Sequence, residues 1–317
     1  MSVAPFAYES DGGVLVCGDG PELFAYSGED DSPMWKQFCE GLLVGVGVAK
    51  GTVCSLDDGG GFNTWKEKTG EKVLSVALGS PAIALQVSDQ GTAVALLSTG
   101  VAHIQENGEF STIPFQGGTA LACSGDASRV VVGMGSGDLA LFDLASGTQL
   151  STAQVGAPVA DIAWSPRGYW MVAAGTQLHM VAWDLAMLDP EAEEGTPPPD
   201  PLQGTIEVPG TPHRVAVNVD GAVVACDDGA QKVLVFELHE KRCGTTIEYT
   251  RDIGDLDFGP DTSLGIGLEY ADANRVDVVG GQMTRTAQGL GRGSEPWFPR
   301  INADSHIMRG AIAAMRA

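Results

Sequence analysis

Basic residues are scarce in this sequence of 317 residues. It contains 18 Lys and Arg residues against 41 Asp and Glu residues, which gives a formal net charge of −23. A chain this acidic is repelled by the phosphate backbone of nucleic acids and by anionic lipid surfaces. The charge also favours solubility. It argues against nucleic acid and membrane as partners, and it leaves proteins with basic surfaces and cations open.

Long apolar runs are missing as well. No stretch of about 18 apolar residues occurs, so no segment is expected to span a bilayer. The N-terminal residues MSVAPFAYESDGG show neither the basic region nor the apolar region of a signal peptide. We therefore expect a cytoplasmic protein. The oligomeric state is not indicated.

Motifs that carry chemistry are also lacking. The six Cys residues form no CxxC pair, the five His residues show no HxH or HExxH spacing, and no GxSxG is present. Without an export signal, the cysteines are expected to be reduced thiols. The sequence therefore predicts no catalytic residue, no metal site and no cofactor.

What the sequence has in abundance is glycine, and its 43 Gly residues fall largely in a repeated pattern. Short runs rich in Val, Ala and Leu are separated by similar turns, such as SDQG, SGDAS and NVDG. The turns are spaced by about 40 residues, apart from one longer gap, and each unit holds four strand-like runs. Seven such units predict an all-β fold, a seven-bladed β-propeller with four antiparallel strands per blade. The repeated turns end at Gly12, Gly51, Gly91, Ser128, Gly168, Gly221 and Thr262.

The fifth unit carries the most specific residues. It reads VADIAWSPRGYWMVAAGTQLHMVAWDL over 159–185, and FDL (142–144) and FEL (236–238) stand where WDL would stand in two other units. This pattern resembles the WD40 family over roughly residues 5–289. The resemblance implies a propeller that acts as a non-catalytic scaffold for protein–protein interaction in a complex. Other seven-bladed families remain open.

The resemblance is incomplete. The sequence has one WD dipeptide, Trp183-Asp184, and no GH dipeptide. The Asp–His–Ser/Thr–Trp hydrogen-bond network typical of the family therefore cannot be placed. Two closures of the ring are open: each blade is one contiguous stretch, or an N-terminal strand completes the last blade. In the first case, the first and last blades need a different way to hold together.

Two segments interrupt the pattern. Residues 189–204, DPEAEEGTPPPDPLQG, lie between the third and fourth strands of blade five, as a surface loop or as an acidic arm for a basic partner. Residues 290–317 follow the propeller domain (1–289) and carry four Arg against two acidic residues. Asp304 or Ser305 is expected to cap a short helix that runs to about Met315.

This C-terminal tail has two interpretations. It folds back on the acidic propeller and seals blade one against blade seven, or it enters a partner as a helix in a groove. The second interpretation makes its aromatic, aliphatic and basic residues candidates for partner binding. These residues are Trp297, Phe298, Arg300, Ile307, Met308, Ile312 and Met315.

The hairpins between the second and third strands share acidic tips. Asp and Gly suit such tips because they form side-chain-to-backbone bonds and adopt positive φ. A second interpretation is an acidic rim around the channel mouth that holds a basic peptide or a divalent cation. The rim residues are Asp19, Asp57, Asp58, Asp138, Asp227, Asp228 and Asp272.

The rim sets up two hypotheses on function. The first is a scaffold that presents this acidic face and the tail to other proteins. The alternative is a metal-dependent hydrolase or lactonase with its site at the channel mouth, for which Asp19, Asp58, Asp228 and Asp272 are the first candidates. Cys17, Cys54 and Cys226 take like positions on second strands, and we expect them to pack between blades as small hydrophobic residues.

Overall fold

The computed structural model describes residues 5–8, 13–27, 32–165, 170–183, 188, 200–259, 263–268, 273–279, 282–287 and 300–303. These residues form 29 β-strands. No helix occurs among the described residues. The described residues therefore include no helix that is long and apolar enough to cross a membrane. The predicted helix from Asp304 or Ser305 to Met315 lies outside the described residues.

Seven four-stranded antiparallel meanders follow one another along the chain. Blade one consists of β1 (Phe6–Tyr8), β2 (Val14–Asp19), β3 (Glu22–Ser27) and β4 (Pro33–Phe38). Blade two consists of β5 (Leu43–Ala49), β6 (Thr52–Asp57), β7 (Gly61–Lys66) and β8 (Lys72–Ala77). Blade three consists of β9 (Ala82–Val87), β10 (Ala93–Leu97), β11 (Gly100–Ile104) and β12 (Phe110–Pro114). Blade four consists of β13 (Gly118–Cys123), β14 (Arg129–Met134), β15 (Asp138–Asp143) and β16 (Gln149–Gln154).

The remaining blades keep the same order, and one blade gains a strand. Blade five consists of β17 (Asp161–Trp164), β18 (Trp170–Ala174), β19 (Leu178–Ala182) and β20 (Leu202–Ile206). Blade six consists of β21 (Val215–Val217), β22 (Val223–Asp227), β23 (Lys232–Glu237), β24 (Arg242–Glu248) and, from the tail, β29 (Arg300–Ala303). Blade seven consists of β25 (Ile253–Phe258), β26 (Ser263–Leu268), β27 (Ala273–Asp277) and β28 (Gln282–Ala287).

The predicted seven-bladed, four-stranded architecture is confirmed. Each blade is one contiguous stretch, so the first of the two ring closures is the one observed and the exchange of an N-terminal strand is wrong. The first strand of each blade is innermost and lines a central channel. β20 begins at Leu202, so the last residues of the predicted insertion 189–204 belong to the fourth strand of blade five.

The core lies between blades, because the short strands alternate side chains toward the two neighbouring blades. One apolar cluster joins blades four and five, another joins blades six and seven, and similar clusters join blades one and two, two and three, three and four, and five and six. Cys54 and Cys226 are buried in clusters between blades, as expected, and Cys17 is buried in a cluster of blade one. Burial raises the pKa of the Cys54 thiol to about 12, which keeps it protonated and unreactive.

The described part of the tail is a strand, where only a helix further along was predicted. Arg300–Ala303 pairs antiparallel with β24, the outer strand of blade six, and Ile301 packs against the apolar cluster of blades six and seven. It does not pair with blade one. β24 offers an unpaired edge rich in β-branched residues, which suits the addition of a strand.

Candidate functional site at the mouth of the central channel

Most of the polar residues that the sequence indicated as candidates lie on one face of the propeller. In each antiparallel blade the start of the inner strand lies beside the end of the second strand, as Asp161 lies opposite Ala174. The hairpins between second and third strands therefore open on the face where the inner strands begin, which we call the hairpin face. The channel that opens there encloses about 480 Å³ and is lined by all seven inner strands.

Two of the predicted rim carboxylates are buried. Asp57 and Asp227 are each 4% exposed. Asp57 accepts hydrogen bonds from the backbone N–H groups of Gly61 (2.8 Å) and Gly41 (3.3 Å). Asp227 Oδ1 accepts from the N–H groups of His213 (2.6 Å) and Arg214 (2.8 Å). These two carboxylates stabilise the entry to the inner strand of their own blades, so they serve the blade itself.

The other rim carboxylates are more accessible. Asp58 is exposed, and its Oδ1 accepts from the N–H of Leu42 at 3.0 Å. Asp228 Oδ1 accepts from the N–H of Lys232 at 3.1 Å, and Asp138 accepts from the Ser136 hydroxyl at 2.7 Å. Asp19 ends β2 at its hairpin. Asp272 lies outside the described residues, so the rim as a partner site stays a prediction.

A metal centre finds no donor set in the described ranges. Within them, no three His, Cys, Asp or Glu side chains converge in a way that holds a metal ion. Of the hydrolase candidates, Asp58 lines the channel and Asp19 and Asp228 are not part of its lining. The predicted partner residues Trp297, Phe298, Ile307, Met308, Ile312 and Met315 lie outside the described residues, and Arg300 begins β29.

A set of charged residues at the channel mouth was not predicted from the sequence. Asp161, Arg214 and Asp255 take equivalent positions at the starts of the inner strands of blades five, six and seven, and all three line the channel. The three positions are equivalent because each residue lies opposite the last or next-to-last residue of the second strand of its own blade. Two acids therefore flank one base at the mouth.

Each of these three side chains reaches the backbone of the next blade. Asp161 Oδ2 accepts from the N–H of Val215 at 3.0 Å. Arg214 Nε donates to the carbonyl of Gly254 at 2.7 Å.

Asp255 completes the same pattern and closes the ring. Its Oδ2 accepts from the N–H of Phe6, the first residue of β1, at 3.1 Å. The Phe6 side chain is 4% exposed, and a Cβ on Gly267 of blade seven would lie 2.9 Å from its Cβ. This bond and this close contact join blade one to blade seven where no strand is exchanged.

Burial disfavours the charge on the two acids, and repulsion by Asp255 adds to this at Asp161. Burial, reinforced by Asp255 and opposed by Arg214, raises the pKa of Asp161 to about 7. Burial also raises the pKa of Asp255, against the opposing effect of Arg214. One cation thus serves two carboxylates, and Asp161 takes up a proton as the pH falls through about 7.

The other side of the mouth is apolar and exposed. Leu42 precedes β5 and Ile83 lies in β9, and both line the channel with 53% and 39% of their surface exposed. Phe38, at the end of β4 on the same face, is 60% exposed. The Lys36 ammonium lies 4.9 Å from the centroid of the Phe38 ring and 2.6 Å from Glu22 Oε1.

Blade two contains part of the hydrogen-bond network that could not be placed from the sequence. Trp65 Nε1 donates to Ser55 Oγ at 3.0 Å, and Cys39 Sγ lies 3.5 Å from the same hydroxyl. Asp57 follows in the same second strand. A Cys thus occupies the side of the Ser hydroxyl at which the family pattern has His, and the missing GH dipeptide hid this arrangement.

No protein-family model matches the chain, and no curated protein matches it. The structure is similar to the β-propeller domain of Cps50 (Swd1) from Myceliophteria thermophila, with a TM-score of 0.71 and 12% identity over 85% of this chain and 95% of that chain. It is also similar to a chain of hydrazine synthase from Kuenenia stuttgartiensis, with a TM-score of 0.70 and 12% identity over 87% and 95% of the two chains.

A third similar structure is that of the WD40 repeats of RRP9, with a TM-score of 0.60 and 12% identity over 70% of this chain and 71% of that chain. Proteins this distant share a fold and need not share a function. By its fold, this chain is a WD40-like seven-bladed β-propeller.

Proposed function

We propose that this propeller is a non-catalytic scaffold that binds other proteins on its hairpin face, as a subunit of a cytoplasmic assembly. The observation that carries the proposal is the connection between β4 and β5. Phe38 at the end of β4 and Leu42 in this connection have more than half of their surface exposed, and the exposed Glu40 lies between them. Large exposed apolar side chains beside a channel mouth are typical of binding surfaces.

The surroundings of this apolar pair define the chemistry of the partner. Asp58 is exposed next to Leu42, and the whole chain carries a net charge of −23. An apolar anchor flanked by Lys or Arg residues would therefore fit this face, and long-range attraction would speed its arrival. The Lys36 ammonium lies over the Phe38 ring, and this cation–π contact favours the observed position of the ring.

The predicted acidic rim and tail belong to this proposal as further contacts. Asp58 and Asp228 keep accessible carboxylates on the hairpin face, where a basic segment would lie across the channel mouth. For the alternative, a metal-dependent hydrolase, the described residues offer no converging ligand set. The scaffold is thus the function that the geometry supports best.

Affinity purification from native cells with quantitative mass spectrometry tests the proposal. The wild-type chain is compared with a Phe38→Ser/Leu42→Ser double variant. A matched control is Val73→Ser, since Val73 on β8 is 61% exposed but lies on the outer edge of blade two. The double variant should lose partners that both the wild type and the control retain. If all partners stay bound to the double variant, the hairpin face is not the binding surface.

A further inference from the structure

The junction between blades seven and one differs from the other six junctions in how the chain runs. At each of those six, a segment of the chain joins the outer strand of one blade to the inner strand of the next, as residues 39–42 do between β4 and β5. Within the described ranges no segment crosses from blade seven to blade one, and β29 pairs with blade six. A covalent connection keeps two surfaces at a high effective concentration and so opposes their separation. The described residues provide no such connection between blades seven and one.

The apolar packing at this junction is one-sided on blade one. The side chains of blade one that point away from blade two form a cluster of their own, whereas their neighbours along the same strands belong to the cluster shared with blade two. No described residue of blade seven belongs to this cluster. Blade one thus brings an apolar face with three aromatic rings to the junction. Its members are Phe6, Leu15, Cys17, Phe24 and Tyr26.

The described part of blade seven meets this face with glycine and carboxylate groups. The apolar residues of β26 belong to the cluster shared with blade six, so by strand alternation Gly265 and Gly267 face blade one. A Cβ on Gly267 would lie 2.9 Å from Phe6 Cβ, and Asp255 Oδ2 accepts from the Phe6 N–H at 3.1 Å. Glycine has no side chain to bury, so this face of β26 removes less apolar surface from water than an aliphatic face would.

Two buried cysteines occupy the same position at two different junctions. Cys17 lies opposite Phe6, the first residue of β1, and Cys226 lies opposite Val215, the first residue of β21. Each thiol is on the face of its blade that is turned to the preceding blade. The cluster around Cys226 contains aliphatic side chains of both blade five and blade six. The two thiols therefore report on the two kinds of junction within one molecule.

We propose that the ring opens reversibly between blades seven and one while the other six junctions stay closed, and that this junction is a gate into the side of the channel. Opening breaks the bond between Asp255 and the Phe6 N–H and exposes the aromatic cluster of blade one. Because β1 and β25 both line the channel, their separation also opens the channel along its length. The gate does not depend on the scaffold proposal.

Thiol labelling of the full chain without denaturant tests the gate. The protein is exposed to N-ethylmaleimide, and mass spectrometry of the cysteine peptides gives the rate at which each thiol is modified. A buried thiol reacts only while its surroundings are open, so the ratio of two rates compares two openings. Cys17 is expected to react about tenfold faster than Cys226. Equal rates would overturn the proposal, and this comparison needs no variant.

Gly267→Ala extends the comparison. The added methyl group presses on Phe6, so Cys17 should react about threefold faster than in the wild type and Cys226 at an unchanged rate. The matched control is Gly133→Ala, because a Cβ there would lie 2.9 Å from Val159 Cβ at the junction of blades four and five. Circular dichroism checks that both variants are folded. Equal acceleration of Cys17 and Cys226 in Gly267→Ala would indicate global unfolding and count against the gate.

Fraying of the short strand β1 is the competing explanation, and Tyr26 separates the two. Tyr26 is buried in the same cluster but lies on β3, which does not pair with β1. Acetylation by N-acetylimidazole under the same conditions should therefore modify Tyr26 faster than Tyr249, which is buried in the cluster of blades six and seven. If Tyr26 is modified no faster than Tyr249, the labelling of Cys17 reflects fraying of β1 and the gate is refuted.

Discussion

The two sides of the ring hold their blades together by different means. In blades five to seven, the charged side chains of Asp161, Arg214 and Asp255 bond to the backbone of the next blade. The equivalent positions in blades one to three are Pro5, Gly45 and Ala84, which have no polar side chain. The same fold thus accommodates inner strands with and without polar side chains that bond to the next blade, because each inner strand requires only that its neighbour lies at a fixed distance.

On the apolar side the distance is set by glycine. A Cβ on Gly45 would meet the Leu85 side chain and lie 2.9 Å from the Leu85 backbone nitrogen. A Cβ on Gly47 would lie 2.7 Å from Val87 Cβ. Blades two and three therefore approach more closely than side chains would permit. On the charged side, polar side chains bridge the same gap to the backbone of the next blade.

The largest effect is expected from Gly45→Ala. The added methyl group collides with the backbone of blade three, which cannot move without shifting the whole strand. We expect a loss of about 3 kcal/mol in the free energy of unfolding, measured by urea denaturation. Gly135→Ala is the matched control, because its Cβ would meet only Thr119 Cγ2, at 3.9 Å. A loss as small as that of the control would mean that the inner strands are not fixed at this distance.

The second prediction concerns Arg214→Met, which removes the one base between Asp161 and Asp255. The two carboxylates then repel each other without compensation, so unfolding should become easier by about 2 kcal/mol at pH 8. At pH 5 both acids take up protons more readily and the loss should shrink. Urea denaturation at the two pH values measures the difference. An equal loss at both pH values would show that Arg214 acts by packing alone.

The sequence predicted the number of blades and their strands, because turns such as SDQG and NVDG recur at a nearly constant spacing. It also predicted the burial of Cys226, which follows from strand alternation. It did not reveal the set formed by Asp161, Arg214 and Asp255. Their residue types differ, so only superposition of the repeats on their turns brings them to one position.

The tail strand escaped prediction for a different reason. The segment RINA of Arg300–Ala303 is too short to show a period, and its partner β24 lies some 50 residues earlier. Strand formation there depends on an edge that exists only in the folded ring. Asp57 accepts from Gly61 within its own hairpin, as a turn residue does, whereas Asp227 accepts from His213 and Arg214, outside its hairpin. That these acids are buried could not be seen from sequence.

The third prediction is a pH dependence that belongs to the charged side alone. The pKa of Asp161 is raised to about 7 in the folded protein, above its ordinary value of 3.8. The folded state then binds the proton more tightly than the unfolded state. This residue therefore stabilises the fold less as the pH rises from about 4 to about 7, and its contribution does not change further above about pH 7.

Asp161→Asn removes this dependence while it keeps an oxygen that can accept from Val215. As the pH rises from 4.5 to 8, the free energy of unfolding of the variant should rise by about 2 kcal/mol relative to that of the wild type. This figure is reduced to allow for solvent in the channel. Unfolding midpoints across that range measure the gain. The control is Asp58→Asn, which lies outside the charged set and whose unfolding midpoint should change with pH as that of the wild type does. If the midpoint of Asp161→Asn also followed that of the wild type, the assigned pKa would be contradicted.

The smallest effect is expected at two Ser–Trp hydrogen bonds, one within blade two and one between blades four and five. Ser55 accepts from Trp65 Nε1 of the same blade, and Ser151 in blade four accepts from Trp183 Nε1 of blade five, each at 3.0 Å and buried. Ser55→Ala and Ser151→Ala each leave a buried indole N–H without its partner, so each should lose about 1 kcal/mol in urea denaturation. Ser55→Thr should keep the bond. Equal losses would mean that the bond contributes alike within a blade and between blades, whereas a much larger loss at Ser55 would assign the excess to Cys39, which lies 3.5 Å from the same hydroxyl.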